Sequence, residues 1–134
     1  AFHDWAEKKQ YLPVIDYLKT DAAEAEILTG LTDRAEAAKL LHSWGAKEVL
    51  ITHNTEVLAY DGVTTYTCPI KARNLSGRTG RGDTTFAGYI NERLTADIPT
   101  ALRFATALVS LKMETPGPFT GTRADVDAYL KEFY

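Results

Sequence analysis

The residues best suited to chemistry lie in one run, Arg78-Thr-Gly-Arg-Gly-Asp-Thr-Thr-Phe-Ala-Gly88. Glycines at 80 and 82 let the backbone turn sharply and approach a ligand with no Cβ in the way. A helix predicted to open at Asp83 and run to about Leu94 points its free N–H groups and positive dipole end back into that loop, forming an anion pocket. Asp83 sits at the mouth of the pocket. A carboxylate there takes a proton from a hydroxyl whose oxygen attacks a phosphorus atom, while Arg78 and Arg81 neutralise charge on the transferred group. A plainer reading stays open beside this one: Asp83 only caps its helix, and the glycines only form a tight turn. Gly-x-Gly alone is weak evidence, and without a following Gly-Lys-Ser/Thr it is no Walker P-loop, nor is it a dinucleotide fingerprint.

Charge is distributed unevenly. The 134 residues carry 15 Lys+Arg against 18 Asp+Glu, a net charge of -3. Between Asp61 and Asp83 there is no acid, whereas Lys71, Arg73, Arg78 and Arg81 all fall there. Such a basic segment in an acidic chain suits a small anionic ligand, and a solvated loop lacking carboxylates would look the same. The acidic balance argues against gripping nucleic acid with the whole surface. A hydrophobic content of 45% excludes disorder, and one cysteine, Cys68, excludes a disulfide scaffold. Apolar runs are broken by charge well short of a membrane span, and because Ala1 begins an already charged stretch no signal peptide is expected. The expected setting is therefore reducing and cytoplasmic. His3, His42 and His53 lack metal-site spacing, and Cys68 before Pro69 suits packing.

Around these residues the elements alternate, without repeats. Trp5 to Leu12 suggests a short helix closed by Pro13, and Val14 to Lys19 a brief strand. Thr20 or Asp21 caps a helix over Ala22 to Thr29, which Gly30 stops. Thr32 or Asp33 caps a second, to about Trp44, ended by Gly45. Glu48 to Thr52 is apolar at its centre, as in a buried strand. Glu56 to Tyr60 and Val63 to Ile70 are joined by Asp61-Gly62, a two-residue hairpin signal. A helix follows Pro99 and ends before Pro116-Gly117-Pro118, and Thr122 caps a last one from Arg123 to about Phe133. The order predicts one layered α/β domain over residues 1–134.

Thr79-Gly-Arg-Gly-Asp-Thr84, followed by Phe86-Ala-Gly88, resembles the signature Asp-Thr-x-Gly-Ala-Gly-Asp of the PfkB/ribokinase family of sugar and nucleoside kinases. Upstream, Lys19-Thr-Asp-Ala-Ala-Glu-Ala-Glu-Ile-Leu-Thr-Gly30 resembles the family's Asn-x-x-Glu helix, and Val49-Leu-Ile-Thr52 before a hairpin is a third match. Order and spacing agree with the C-terminal half of such a kinase. The resemblance implies a three-layer ribokinase-like (Rossmann-like) sheet with flanking helices, here its nucleotide-binding portion. It makes Asp83 the catalytic base, and the backbone N–H groups of Gly80, Arg81 and Gly82 the anion hole. Asp21, in the place of the family's Asn, and Glu24 would hold Mg²⁺ through water, or cap their helix, or both. Thr52 and Asn54, with Thr106 near the adenine, would line the nucleotide, ATP. Gly77 and Arg78 replace the signature's opening Asp-Thr, and Arg81 its alanine, adding charge to the hole or crowding the phosphate. His53-Asn-Thr-Glu56 stands where the family has Gly-x-x-Gly, and Thr106 where many members have asparagine.

The family holds its sugar mostly with an N-terminal half and a small lid, which this sequence does not include. The expected activity is ATP-dependent phosphoryl transfer to a primary hydroxyl of a sugar or nucleoside, with this chain inactive alone. An exposed sheet edge is expected where the other half would lie, open to pairing or homo-oligomer formation. Neither nucleic acid nor membrane is an expected partner. Two alternatives remain: a non-catalytic α/β module binding an anionic metabolite or a partner protein, and a degenerate member kept for assembly.

Overall fold

The computed structural model describes residues 9–73, 81–114, 117 and 119–134. A 3₁₀ turn (Leu12–Val14) leads to β1 (Tyr17–Asp21), α1 (Ala22–Thr29), α2 (Arg34–Ser43), β2 (Glu48–Thr52), β3 (Glu56–Tyr60) and β4 (Thr65–Pro69). These are followed by α3 (Arg81–Arg93), α4 (Ile98–Lys112) and α5 (Arg123–Phe133). The strands form one sheet in the order β1-β2-β3-β4. β1 and β2 are parallel, in register from Tyr17 opposite Glu48 to Asp21 opposite Thr52, so their C-terminal ends are level. By its contacts the chain divides into two compact units, residues 1–53 with 58–66, and residues 54–57 with 67–134.

Caps set the helix boundaries. Asp21, Asp33 and Asp97 each accept a hydrogen bond from the backbone N–H three residues on, at Glu24, Glu36 and Thr100. Thr122 and Asp125 form a reciprocal capping box at the start of α5. Each cap contributes about 1 kcal/mol, enough to fix where a helix starts. Gly30 ends α1 at φ 75°, in the left-handed region where a side chain is disfavoured.

Several boundaries differ from expectation: β1 runs on to Asp21 where Lys19 was expected, and α4 takes in Ile98 and Pro99 in its first turn. The strand after Pro13 begins at Tyr17 rather than Val14, because Pro13 sits inside the 3₁₀ turn and its fixed φ prolongs it. Of the helix expected over Trp5 to Leu12, residues 5–8 lie outside the described ones, and the described end is not a helix closed by Pro13: Gln10 and Tyr11 form a turn and Leu12 opens the 3₁₀ turn. The β3–β4 connection is four residues, Asp61 to Thr64, in place of a two-residue turn. Only Gly62 has a positive φ there, and the Asp61 carboxylate accepts from the N–H groups of both Val63 and Thr64. That side-chain bonding holds the wider turn and delays β4 to Thr65.

In the first unit, Ala25, Ala37, Ala38 and Leu41 of α1 and α2 pack with Val49, Ile51, Leu58 and Tyr60. β2 is buried at all five positions, as its apolar centre predicts. In the second unit α3 lies close against α4, since a Cβ at Gly88 would stand 2.7 Å from Leu108 Cδ2 and 3.6 Å from the Ala105 Cα. Phe104 and Ala107 of α4 pack against Val126 and Tyr129 of α5. Among the described residues no helix is long and apolar enough to cross a membrane.

Candidate active site

In the first unit, the parallel register brings Asp21 and Thr52 side by side at the C-terminal ends of β1 and β2. Ligands of α/β sheets bind outside such ends. Asp21 Oδ1 accepts from the Glu24 N–H at 2.7 Å, and the Thr20 hydroxyl donates to Glu24 Oε2 at 3.4 Å. Capping and clustering thus occur together: the cap that starts α1 also sets two carboxylates one turn apart. Burial, and Asp21 beside it, raise the Glu24 carboxyl above its ordinary value of 4.5. A cation would relieve that crowding. Among the described residues no group of three or more His, Cys, Asp or Glu could hold a metal ion. Two carboxylates alone still suit Mg²⁺, which keeps several waters and takes its other ligands from phosphates. Thr20, buried to 2% exposure, was offered by the sequence only as an alternative cap; the cap is Asp21, and the Thr20 hydroxyl turns instead to Glu24.

In the second unit, α3 opens at Arg81, two residues before the expected start, because Arg81 and Gly82 already take helical geometry. Asp83 is consequently not the residue that caps α3. It stands within the first turn and is exposed, whereas Thr85 in the same turn is buried and bonds back to the Arg81 carbonyl. Arg81 is partly buried. Its Nη1 is shut off from solvent and has no hydrogen-bond partner among the described residues. A buried guanidinium N–H without an acceptor is costly, and an anion in the adjacent helix mouth would satisfy it. Gly80 and Arg78 lie outside the described residues.

Of the residues expected beside the nucleotide, Thr52 is buried to 8% exposure and Asn54 is exposed in the β2–β3 connection. Thr106 is fully buried in α4, with its hydroxyl donating to the Leu102 carbonyl at 2.6 Å, so it offers a ligand no surface. The basic interval also resolves. Lys71 Nζ donates to the Phe133 carbonyl, and Arg73 pairs with Glu114, leaving Arg81 as the described member with a free buried donor. Glu114 was not marked by the sequence, because its partner lies 41 residues upstream.

The chain matches the pfkB family carbohydrate kinases over residues 3–124. It belongs to that family. The α/β ribokinase-like fold expected of a pfkB chain is the fold it has. It is 41% identical over 70 residues to the cytidine kinase of Thermococcus kodakarensis, a stretch covering 50% of this chain and 25% of that protein. Among solved structures, it is similar to a pyrophosphate-dependent kinase in the ribokinase family, complexed with a pyrophosphate analog and myo-inositol. The TM-score is 0.84 and the identity 40%, over 92% of this chain and 45% of that one. It is also similar to Arabidopsis thaliana ribokinase complexed with ribose and ATP, with a TM-score of 0.83 and 26% identity, over 92% of this chain and 43% of the other. The pfkB chain described here therefore spans a quarter of the curated relative's length and under half of these structural relatives.

Proposed function

We propose that this chain is the donor-binding part of a kinase that moves the γ-phosphoryl group of ATP to a hydroxyl of a sugar or nucleoside. Family membership supports the class of reaction. The observation that carries the reading is at the start of α3: an exposed carboxylate, Asp83, two residues from a buried guanidinium nitrogen of Arg81 that has no partner among the described residues. Asp83 accepts the proton of the acceptor hydroxyl as that oxygen bonds to phosphorus and the bridging P–O bond of the donor breaks. Arg81, with the backbone N–H groups of Gly80, Arg81 and Gly82, meets the charge on the transferred group. Asp21 and Glu24 would hold Mg²⁺ through water, where the ion neutralises phosphate charge. Thr52 and Asn54 would line the donor, as the family resemblance implies. Acceptor binding belongs to residues beyond this chain, which alone has no turnover. β1, at one end of the strand order, is the edge against which they would pair.

A second reading of the donor has its own support. Arg81 adds a cation where the family has alanine, Thr106 is closed off, and 53–56 lacks the glycine turn. The relative sharing 40% identity is pyrophosphate-dependent. Inorganic pyrophosphate in place of ATP would need the anion hole and the cation but no adenine pocket. The test supplies the complete polypeptide with Mg·ATP or Mg·pyrophosphate and a panel of sugars, polyols and nucleosides, following phosphate esters by phosphorus NMR. Transfer from one donor selects between the two readings. A folded protein that transfers from neither is the non-catalytic module.

A further inference from the structure

Resting on the kinase reading above, we infer that Thr85 is a positioning residue for the transfer: its hydroxyl sets the first turn of α3, on which Arg81 and Asp83 stand. Thr85 Oγ1 donates to the Arg81 carbonyl at 2.7 Å, and the residue is shut away from solvent at 1% exposure. That carbonyl is also the one to which an α-helix brings the N–H four residues on, here that of Thr85 itself. Two donors of one residue therefore close on the peptide unit joining Arg81 to Gly82, immediately before Asp83. A buried hydroxyl left without a partner is costly, so this bond is strongly held. Back-bonding of this kind bends a helix where it occurs. Elsewhere among the described residues, bonds of the same spacing run from Thr29 to Ala25 in α1, and from Thr106 to Leu102 and Ser110 to Thr106 in α4. The Thr85 bond reaches into a first turn, the one that carries the candidate site.

The two faces of α3 show why that turn depends on the bond. Arg81, Thr85, Gly88 and Glu92 follow at helical spacing along one face. Thr85, Gly88 and Glu92 are buried, and a Cβ at Gly88 would stand 2.7 Å from Leu108 Cδ2, so this face is held against α4. Asp83 and Ala87 share another face and are exposed. From Thr85 onward α3 is fixed by packing, whereas Gly82 gives the first turn no side chain to hold it. The Thr85 hydroxyl links the packed face to the Arg81–Gly82 peptide, and through it fixes the directions in which Arg81 and Asp83 project. Its own side chain is buried away from the exposed face, so it acts on the transfer through those two residues. Small misplacements of reacting groups are costly.

The experiment measures kcat, both KM values and the melting temperature in the complete polypeptide. Thr85→Val keeps the shape and removes the hydroxyl. It should lower kcat about tenfold, a fraction of the roughly hundredfold that a misplacement of about 1 Å costs, with acceptor KM within about twofold. Thr85→Ser restores the hydroxyl and should restore kcat to within about twofold of the unaltered protein. Thr85→Ala should match Thr85→Val, and as a good helix former it keeps the test open if valine is not accommodated. Ser110→Ala removes a buried, equally back-bonded hydroxyl from α4; it should lower the melting temperature and leave kcat within about twofold. Unchanged kcat in Thr85→Val and Thr85→Ala, no recovery in Thr85→Ser, or an equal loss in Ser110→Ala would overturn the positioning role. Asp83→Asn runs in parallel: retained turnover there sinks the kinase reading itself, whereas lost turnover there with unchanged kcat in Thr85→Val sinks only this inference.

Discussion

Two aspartates near helix starts, Asp21 and Asp83, differ in what the fold asks of them. Asp21 is spoken for: it ends β1, caps α1 through the Glu24 N–H, and shares its surroundings with a second carboxylate. Asp83 lies inside the first turn of α3, exposed, with Arg81 two residues before it. Asp33 and Asp97 cap their helices as Asp21 does. The comparison teaches that a residue's identity near a helix start says less than its place in the first turn. Asp21 uses a lone pair on a backbone donor as a cap, and Asp125, three residues past its cap, does so too; Asp83 is set apart by its exposure and by Arg81 two residues before it.

The sharpest way to break this contrast is the pair Asp83→Asn and Asp21→Asn in the complete polypeptide. Asp83→Asn should lower kcat by at least about a hundredfold, the usual contribution of a general base. Asn is as good a cap as Asp, so Asp21→Asn should leave α1 intact and cost turnover far less. Similar losses from both would erase the distinction.

A second effect concerns the helix that carries Asp83. Gly88→Ile would push a branched side chain into Leu108 and the α4 backbone at Ala105, and should destabilise by about 1–3 kcal/mol. Thermal unfolding measures it, and an unchanged midpoint would mean that α3 and α4 are not closely packed at Gly88. Gly88→Ala should be milder, because Leu108 Cδ2 is the far end of a flexible side chain.

The two units also hold carboxylates shifted in opposite directions, which sharpens the comparison by pH. Glu24 is raised by burial and Asp21, so its folded form binds a proton more readily than the unfolded one. It therefore costs stability above its raised value and ceases to as pH falls through that value. Glu114 is lowered by Arg73, so its stabilisation is present above the ordinary 4.5 and lost as pH falls through the lowered value. Denaturant unfolding at neutral pH should show Glu24→Gln gaining stability and Glu114→Gln losing it. In strong acid both differences should shrink, and the same sign for both variants would contradict the assignment.

The smallest effect is expected at Thr106. Thr106→Val removes a hydroxyl that bonds only within α4, costing about 1 kcal/mol of stability and leaving the donor KM within about twofold. A large rise in donor KM would return Thr106 to the nucleotide site.

Most of the fold was legible in the chain, for local reasons. α1, β2, β3 and α5 begin and end where the caps, Gly30 and the apolar run place them. The misses came where a side chain changed the local rule: Pro13 inside a turn, and Asp61 bonding two N–H groups to widen the hairpin. Of the candidate site, what was legible rests on sequence neighbours: the Asp21 cap on Glu24, and Arg81 and Asp83 together in the first turn of α3. Charge alone could not sort the basic interval, because Lys71 and Arg73 are matched by Phe133 and Glu114, far along the chain. Nor could it reveal that Thr106 faces a helix carbonyl.

The central claim, that Asp83 is the transfer centre while donor and metal are held by other groups, is tested most directly by titrating Mg·ATP and Mg·pyrophosphate into the complete Asp83→Asn protein by calorimetry. Donor binding is expected within about twofold of the unaltered protein, although turnover is lost. Binding lost together with turnover would make Asp83 a donor ligand and contradict it.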